Sequence, residues 1–517
     1  MVQLVPTGIR GLDEILLGGI IRNNTVLVKG IAGSGKTLLG IQFVYNGAVR
    51  LNEPGIVVSF EANPDKFHQD AEGFGWNLQE LHDAGRLELI FTSPEVLQTE
   101  LDDPQSLLLQ RANEIQARRI FIDTVSLFQG ADPNGLPKAR GRGSYRSMLN
   151  QVMNNLHRAG LTAIIAHEVA QHDELVCSLE VADVLADTVI RVDRGRRERG
   201  IYRSIAIEKS RGQDFDAGRH TLLITPGVGI EVFRRVQAEV RGLGEQPTSR
   251  VKRSLIGVEA LDTVFGGGVY EASVTLVIGV SGAGKSLLGY QVAAESGKNG
   301  HPALLVSLDE HPLQIQRNAN ALGLDLGEQF AAGTVQYLHD SPLELEIDTH
   351  YHRIKQIIEE HQIERLVLDG LTTYQNAIGD QRIFREFVHG LIAFAKRRLI
   401  TTFILYENPE VFGITRFMPD AAISSIVDNI LLLSFVEIGN QVRRSLTVIK
   451  ARGCAHDLVS REFTIGTSGI CLVEDRGAGL NTPFNRLDSL LSRAPKRRPH
   501  TEDEQEHANR DAIEAAK

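Results

Sequence analysis

The chain has 517 residues, 42% of them hydrophobic and 23% charged, with a formal net charge of −10. That length suggests roughly two to four domains of ordinary soluble composition, and the acidic balance argues against a dedicated nucleic-acid binder. Three cysteines (Cys177, Cys454, Cys471) without C-x-x-C spacing argue against a zinc site or disulfide framework, and the lack of an apolar run of about 18 residues argues against a membrane span, so a cytoplasmic protein is expected.

Strands are expected near Val26–Lys29, Gly55–Phe60, Leu87–Phe91, Arg119–Asp123 and Leu161–Ala166, with shorter ones at Val189–Val192, Ser204–Glu208 and His220–Ile224. Helices between them make the class α/β, a mostly parallel sheet covered on both faces. Between the first strand and a helix-like run, Leu38–Arg50, lies Gly30-Ile31-Ala32-Gly33-Ser34-Gly35-Lys36-Thr37. This fits G-x-x-x-x-G-K-[ST], the phosphate-cradling P-loop. Its backbone N–H groups would point at phosphate oxygens, Lys36 would reach the β/γ-phosphates and Thr37 would ligate Mg²⁺. Residues 129–146 are rich in Gly, Pro and Arg and read as a basic loop, either a solvated insertion or a pore or nucleic-acid contact.

The pattern then starts again. Gly279-Val280-Ser281-Gly282-Ala283-Gly284-Lys285-Ser286 is a second P-loop, after the apolar run Val274–Ile278 and before a helix-like run Leu287–Lys298. At the same separation, Gly8, Leu12, Asp13, Gly18 and Gly19 meet Gly257, Leu261, Asp262, Gly267 and Gly268. Each copy is long enough for a complete domain rather than a solenoid unit. The expected division is a first domain over 1–239, a polar linker over 240–253, a second domain over 254–492 and a charged tail over 493–517, expected to be disordered.

Phosphoryl chemistry needs the loop, the metal, a group that positions the attacking oxygen, and positive charge on the transition state. Asp123 and Asp369 end matching apolar strands and suit Mg²⁺ support. A carboxylate past the neighbouring strand would polarise the attacking oxygen: Glu61 in the first copy, the pair Asp309 and Glu310 in the second. The acids also suit helix starts, since Asn63-Pro64 and His311-Pro312 follow them. Lys209-Ser210-Arg211-Gly212 and Lys450-Ala451-Arg452-Gly453 close the two halves. They read either as cations donated across a subunit boundary or as strand-end pairs facing solvent.

The paired P-loops, the acidic pair, the Lys-x-Arg-Gly repeats and the stretch Ile423-Ser424-Ser425-Ile426-Val427-Asp428 together resemble the KaiC family of tandem RecA-like P-loop NTPases, over roughly residues 5 to 490. The resemblance implies a double-ring homohexamer with ATP and Mg²⁺ at subunit interfaces and regulatory partners of the KaiA and KaiB kind. It implies a slow ATPase in the first ring and reversible self-phosphorylation in the second. Carried over by motif, Ser424 and Ser425 are the acceptors and Asp309 is the base, with Glu310 beside it. Lys450 and Arg452, like Lys209 and Arg211, approach the neighbour's γ-phosphate. This chain has Ser-Ser where the family usually has Ser-Thr, Pro419 where it has a threonine, and Asp309 where Glu is usual. Aligning Asp187 with Asp428 puts Asp183 and Val184 opposite the two serines, so the first copy lacks both acceptor hydroxyls. A RecA-type DNA motor and a scaffold glued by nucleotide are the alternative readings.

Overall fold

A computed structural model describes residues 3–60, 64–103, 105–125, 142–169, 181–197, 200–236, 252–408, 421–438, 441–454, 456, 458–467 and 469–473. Glu61, most of the basic loop, the segment 237–251 and the tail lie outside the described residues. The chain divides into two compact units, Met1–Gly244 with Glu346–Lys355, and Glu245–Leu345 with Gln356–Lys517.

The first unit is built on a sheet whose strands run in the spatial order Gly229–Phe233, His220–Thr225, Gly200–Ser210, Thr188–Arg197, Thr25–Gly30, Thr162–Glu168, Arg119–Asp123, Gly55–Ser59, Leu87–Phe91. The six strands from Thr188–Arg197 onward are parallel and the other three add antiparallel. Parallel strands buried on both faces are near-continuous apolar runs. Arg119–Asp123 is buried at every position, and Thr25–Gly30 at all but Lys29. The helix Lys36–Arg50 is buried through Leu39, Phe43, Val44 and Ala48, which join the core of the first unit. Sealing one such side chain contributes about 1.5–3 kcal/mol.

The second sheet repeats the order strand for strand: Gly469–Leu472, Arg461–Gly466, Gln441–Ala451, Asn429–Ile438, Val274–Gly279, Thr401–Glu407, Arg365–Asp369, Ala303–Ser307, Val335–His339. The shared residues ahead of each P-loop have a structural job. Asp13 accepts from the Thr7 and Gly8 amides (2.6 and 3.0 Å), and Asp262 from those of Ile256 and Gly257 (2.7 and 3.2 Å). A Cβ on Gly19 or Gly268 would stand 2.4 or 2.3 Å from the carbonyl oxygen of Val5 or Ser254.

Two expectations need correction. The late strands are the longest in the first sheet, at 10 and 11 residues for Thr188–Arg197 and Gly200–Ser210. They form an antiparallel ribbon whose outer part carries arginines because antiparallel strands tolerate solvent. The basic stretch 129–146 is not all loop either, since a helix starts at Arg142 and runs to Arg158.

Candidate nucleotide and phosphotransfer sites

Both P-loops join the central strand to a helix, as the motif requires. Gly35 and Gly284 sit at the helix N-caps with φ of 113° and 107°, a left-handed conformation that favours glycine. The first-turn N–H groups beyond them form an anion-binding end. Lys36 Nζ donates to the Ile31 carbonyl and Lys285 Nζ to that of Val280, both at 2.8 Å. Burial pushes both ammonium groups down from the ordinary lysine range, against nearby carboxylates.

Strand register brings the other groups to the same edge. Gly30 and Gly279 pair in register with Glu168 and Glu407, and Ser59 and Ser307 with Asp123 and Asp369. Thr37 Oγ1 donates to Asp123 Oδ2 at 2.7 Å, and the Ser286 hydroxyl bonds Asp369. Asp369 is pushed up to about 6, first by burial and then by Glu310 and Asp309. Paired hydroxyl and carboxylate oxygens suit Mg²⁺, which takes one or two protein oxygens and completes its shell with water and phosphate. Among the described residues, no group of three or more His, Cys, Asp or Glu could hold a metal by itself.

The acidic pair divides its contacts. Ser307 Oγ accepts from the Asp309 and Glu310 amides, both at 3.2 Å. Glu310 is tied down by Tyr290 Oη at 2.8 Å and Asn318 Nδ2 at 3.1 Å. Exposed Asp309 accepts from Thr373 Oγ1 at 2.6 Å. His311 caps the next helix, accepting from the Leu313 amide, with Pro312 in its first turn. That cap belongs to His311, which leaves the carboxylates before it free for other work.

In the Lys-x-Arg-Gly repeats the lysines are half-buried and the arginines exposed, and all four cations have partners. In each sheet the lysine pairs across the strands beside a β-bulge, Val189 with Lys209 and Ile430 with Lys450. Lys209 Nζ donates to the carbonyls of Asp183 and Ala186 (2.7 and 2.6 Å), and Arg211 to that of Val184 (2.8 Å). Lys450 Nζ donates to those of Ser424 and Val427 (2.9 and 2.7 Å), and Arg452 to that of Ser425 (2.7 Å). Cations thus close the C-terminal ends of the helices Val181–Leu185 and Ala421–Ile426. The acceptor candidates lie on the second of these helices, Ser424 half-buried and Ser425 exposed. Asp187 and Asp428 tie the helix ends to the P-loop strands through the amides of Thr25 and Val274.

What the helices carry differs. Asp183, opposite Ser424, accepts from Lys29 Nζ at 2.8 Å, and Lys29 also meets Glu208 at 2.6 Å. The matching residues of the second copy are Ile278 and Ile449. Burial pulls the Lys29 ammonium down, but hydrogen bonds to the two carboxylates leave it raised above the ordinary lysine range. Glu407, Thr372, Thr373, Lys29 and Glu208 escape the sequence reading. Glu407 was findable, since Glu168 ends the matching strand of the first copy. Thr373 was not, because its counterpart is Leu127.

The KaiC ATPase family model matches residues 5–237 and 255–477. The chain belongs to the KaiC family. It is 32% identical over 506 residues to the circadian clock oscillator protein KaiC of Picosynechococcus, covering 96% of this chain and 93% of that protein. The proteins of the same name from Thermostichus vulcanus and Synechococcus elongatus are 31% and 30% identical, each over 96% of this chain and 92% of theirs. The two sheets are tandem RecA-like domains of a KaiC-family ATPase, which implies ATP binding. No helix among the described residues is long and apolar enough to cross a membrane.

Proposed function

We propose that this chain is an ATP-driven regulatory enzyme that hydrolyses ATP slowly in its first domain and phosphorylates itself on Ser424 and Ser425 in its second. It works as a double-ring homohexamer with nucleotide at the subunit interfaces, as a phosphorylation-state regulator or clock component with KaiA- and KaiB-like partners. One observation carries the reading. The same helix, under the same lysine and arginine, presents Asp183 and Val184 in one domain and Ser424 and Ser425 in the other. The names of the relatives, circadian clock oscillator proteins, support the regulatory part.

In each domain the P-loop amides bind the phosphates and Lys36 or Lys285 turns from its own loop carbonyl to the β/γ oxygens. Thr37 with Asp123, and Ser286 with Asp369, would hold Mg²⁺, which neutralises phosphate charge when bound. In the second domain a serine Oγ of the adjacent subunit attacks the γ-phosphorus. The new Oγ–P bond forms as the bond to the β–γ bridging oxygen breaks, ADP leaves with that electron pair, and Asp309 takes the hydroxyl proton. In the first domain water replaces the serine and Glu61 orients it. Lys450 and Arg452, and in the first ring Lys209 and Arg211, face the phosphate bound by the next subunit. Phosphopeptide mapping after incubation with ATP tests this, with Lys285→Ala as control. Phosphate on Ser424 or Ser425 is expected, and its absence from both in assembled, ATP-hydrolysing protein contradicts the kinase assignment.

A further inference from the structure

Thr373 lies in the first turn of the helix Leu371–Ile378, which starts two residues after Asp369. Its Oγ1 donates to Asp309 Oδ1 at 2.6 Å. The other carboxylate oxygen lies against the same turn, because a Cβ on Gly370 (φ +89°) would stand 2.3 Å from Asp309 Oδ2. Both oxygens of Asp309 therefore rest on the segment Gly370–Thr373. The neighbouring Thr372 Oγ1 donates to the Glu407 carbonyl and accepts from the Glu407 amide, both at 3.0 Å. Glu407 Oε2 is in turn 3.5 Å from Lys285 Nζ. Two adjacent hydroxyls thus link the turn after Asp369 to the carboxylate of Asp309 and to the backbone of Glu407, whose carboxylate meets the P-loop lysine.

We propose that Thr373 is the positioning residue for the base of the second domain, and that it sets the carboxylate of Asp309 toward the acceptor oxygen. The inference rests on the base role assigned to Asp309 above. An exposed aspartate at the end of a strand has several rotamers open to it, and a charge-assisted hydrogen bond selects one. Glu310 does not share the device, since Tyr290 and Asn318 hold it elsewhere. In the first copy the sequence places Leu127, which has no hydroxyl, at the position of Thr373.

The test uses the full chain carrying Lys36→Ala, which silences the first P-loop so that ATP turnover reports the second. Turnover and phosphate on Ser424 and Ser425 are measured together in this parent, with Thr373→Val and Thr373→Ser added. A positioned base contributes 10²–10⁴-fold, so Thr373→Val is expected to slow both readouts at saturating ATP by at least about tenfold. KM for ATP stays within about twofold, and Thr373→Ser recovers the rate to within about threefold, because the lost term belongs to the transition state. A Val variant as fast as the parent, a loss that Ser does not repair, or phosphate found on Thr373 itself would overturn the inference. Turnover in the parent without serine phosphate defeats the kinase assignment but leaves the Thr373 comparison decisive. A parent with no turnover defeats both.

Discussion

Lys209 and Lys450 occupy the same bulge-flanking position in two separate sheets, and each ends on the carbonyls of the helix that precedes the bulged pair of strands. The clamp is constant and its cargo is not. In the first domain it holds an aspartate already paired with a lysine; in the second it holds two serines. The backbone of the acceptor helix and the proposed phosphate contact of the next subunit use the same cations. Transfer of charge onto Ser424 or Ser425 would therefore act directly on the groups that seat the helix.

That shared use gives a test in mixed assemblies. A Lys285→Ala chain lacks a working second P-loop but keeps Arg452 and its serines, whereas an Arg452→Ala chain keeps the P-loop. Each alone is expected to lose at least about tenfold of its phosphotransfer, the scale of one electrostatic donor. Mixed subunits should regain it, with phosphate on the serines of the Lys285→Ala chain. Phosphate confined to the Arg452→Ala chain would mean transfer within one subunit.

The triad of Lys29, Asp183 and Glu208 predicts a stability difference between the domains. Lys29→Ile copies the second domain but leaves Asp183 and Glu208 without the lysine between them, with Arg191 still 3.8 Å from Glu208. It should lower the first domain's stability by about 1–3 kcal/mol, read as a fall in its calorimetric transition. Lys29→Ile with Asp183→Ser should cost less than the two single changes added. Because the Lys29 pKa is raised in the folded state, its contribution is full below the ordinary lysine range and is lost as pH rises through the raised value.

A second ionic contact sits beneath the first P-loop helix. Arg119 is fully buried and donates to Glu53 through Nε at 2.8 Å and Nη2 at 2.7 Å, and to the Phe43 carbonyl at 3.0 Å. Arg119→Met removes two hydrogen bonds to Glu53, which keeps Arg22 at 2.7 Å, and should destabilise the first domain by about 1–3 kcal/mol, read by urea unfolding. Burial raises the Glu53 pKa, but hydrogen bonds from Arg22 and Arg119 outweigh it and leave the group lowered. Its stabilisation is therefore present above the ordinary glutamate range and is lost as pH falls through the lowered value.

Most of the parallel sheet was legible, because doubly buried strands such as Arg119–Asp123 have little choice but to be apolar runs between breakers. The P-loops were legible because glycine is needed where φ is positive and the backbone must approach phosphate. The ribbon was not: Asp193, Arg194 and Gly195 continue Thr188–Arg197 beyond the core, where strand pairing no longer needs apolar side chains. Self-comparison found what the domains share and passed over what only one has. Asp183 emerged opposite a serine, but its partner Lys29 was invisible until the fold brought together residues 154 apart. The counterpart of Thr373 is Leu127, so only its distance to Asp309 reveals it.

The central claim is that one fold, repeated, performs two chemistries. The most direct test is quantitative phosphopeptide mapping of the assembled chain after incubation with ATP, beside Lys36→Ala and Lys285→Ala. The account predicts phosphate on Ser424 or Ser425 in the unaltered chain, its loss in Lys285→Ala while ATP hydrolysis by the first domain continues, and none on the helix Val181–Leu185. Serine phosphate that survives Lys285→Ala in the unmixed variant, or hydrolysis in both domains with neither serine phosphorylated, would contradict it.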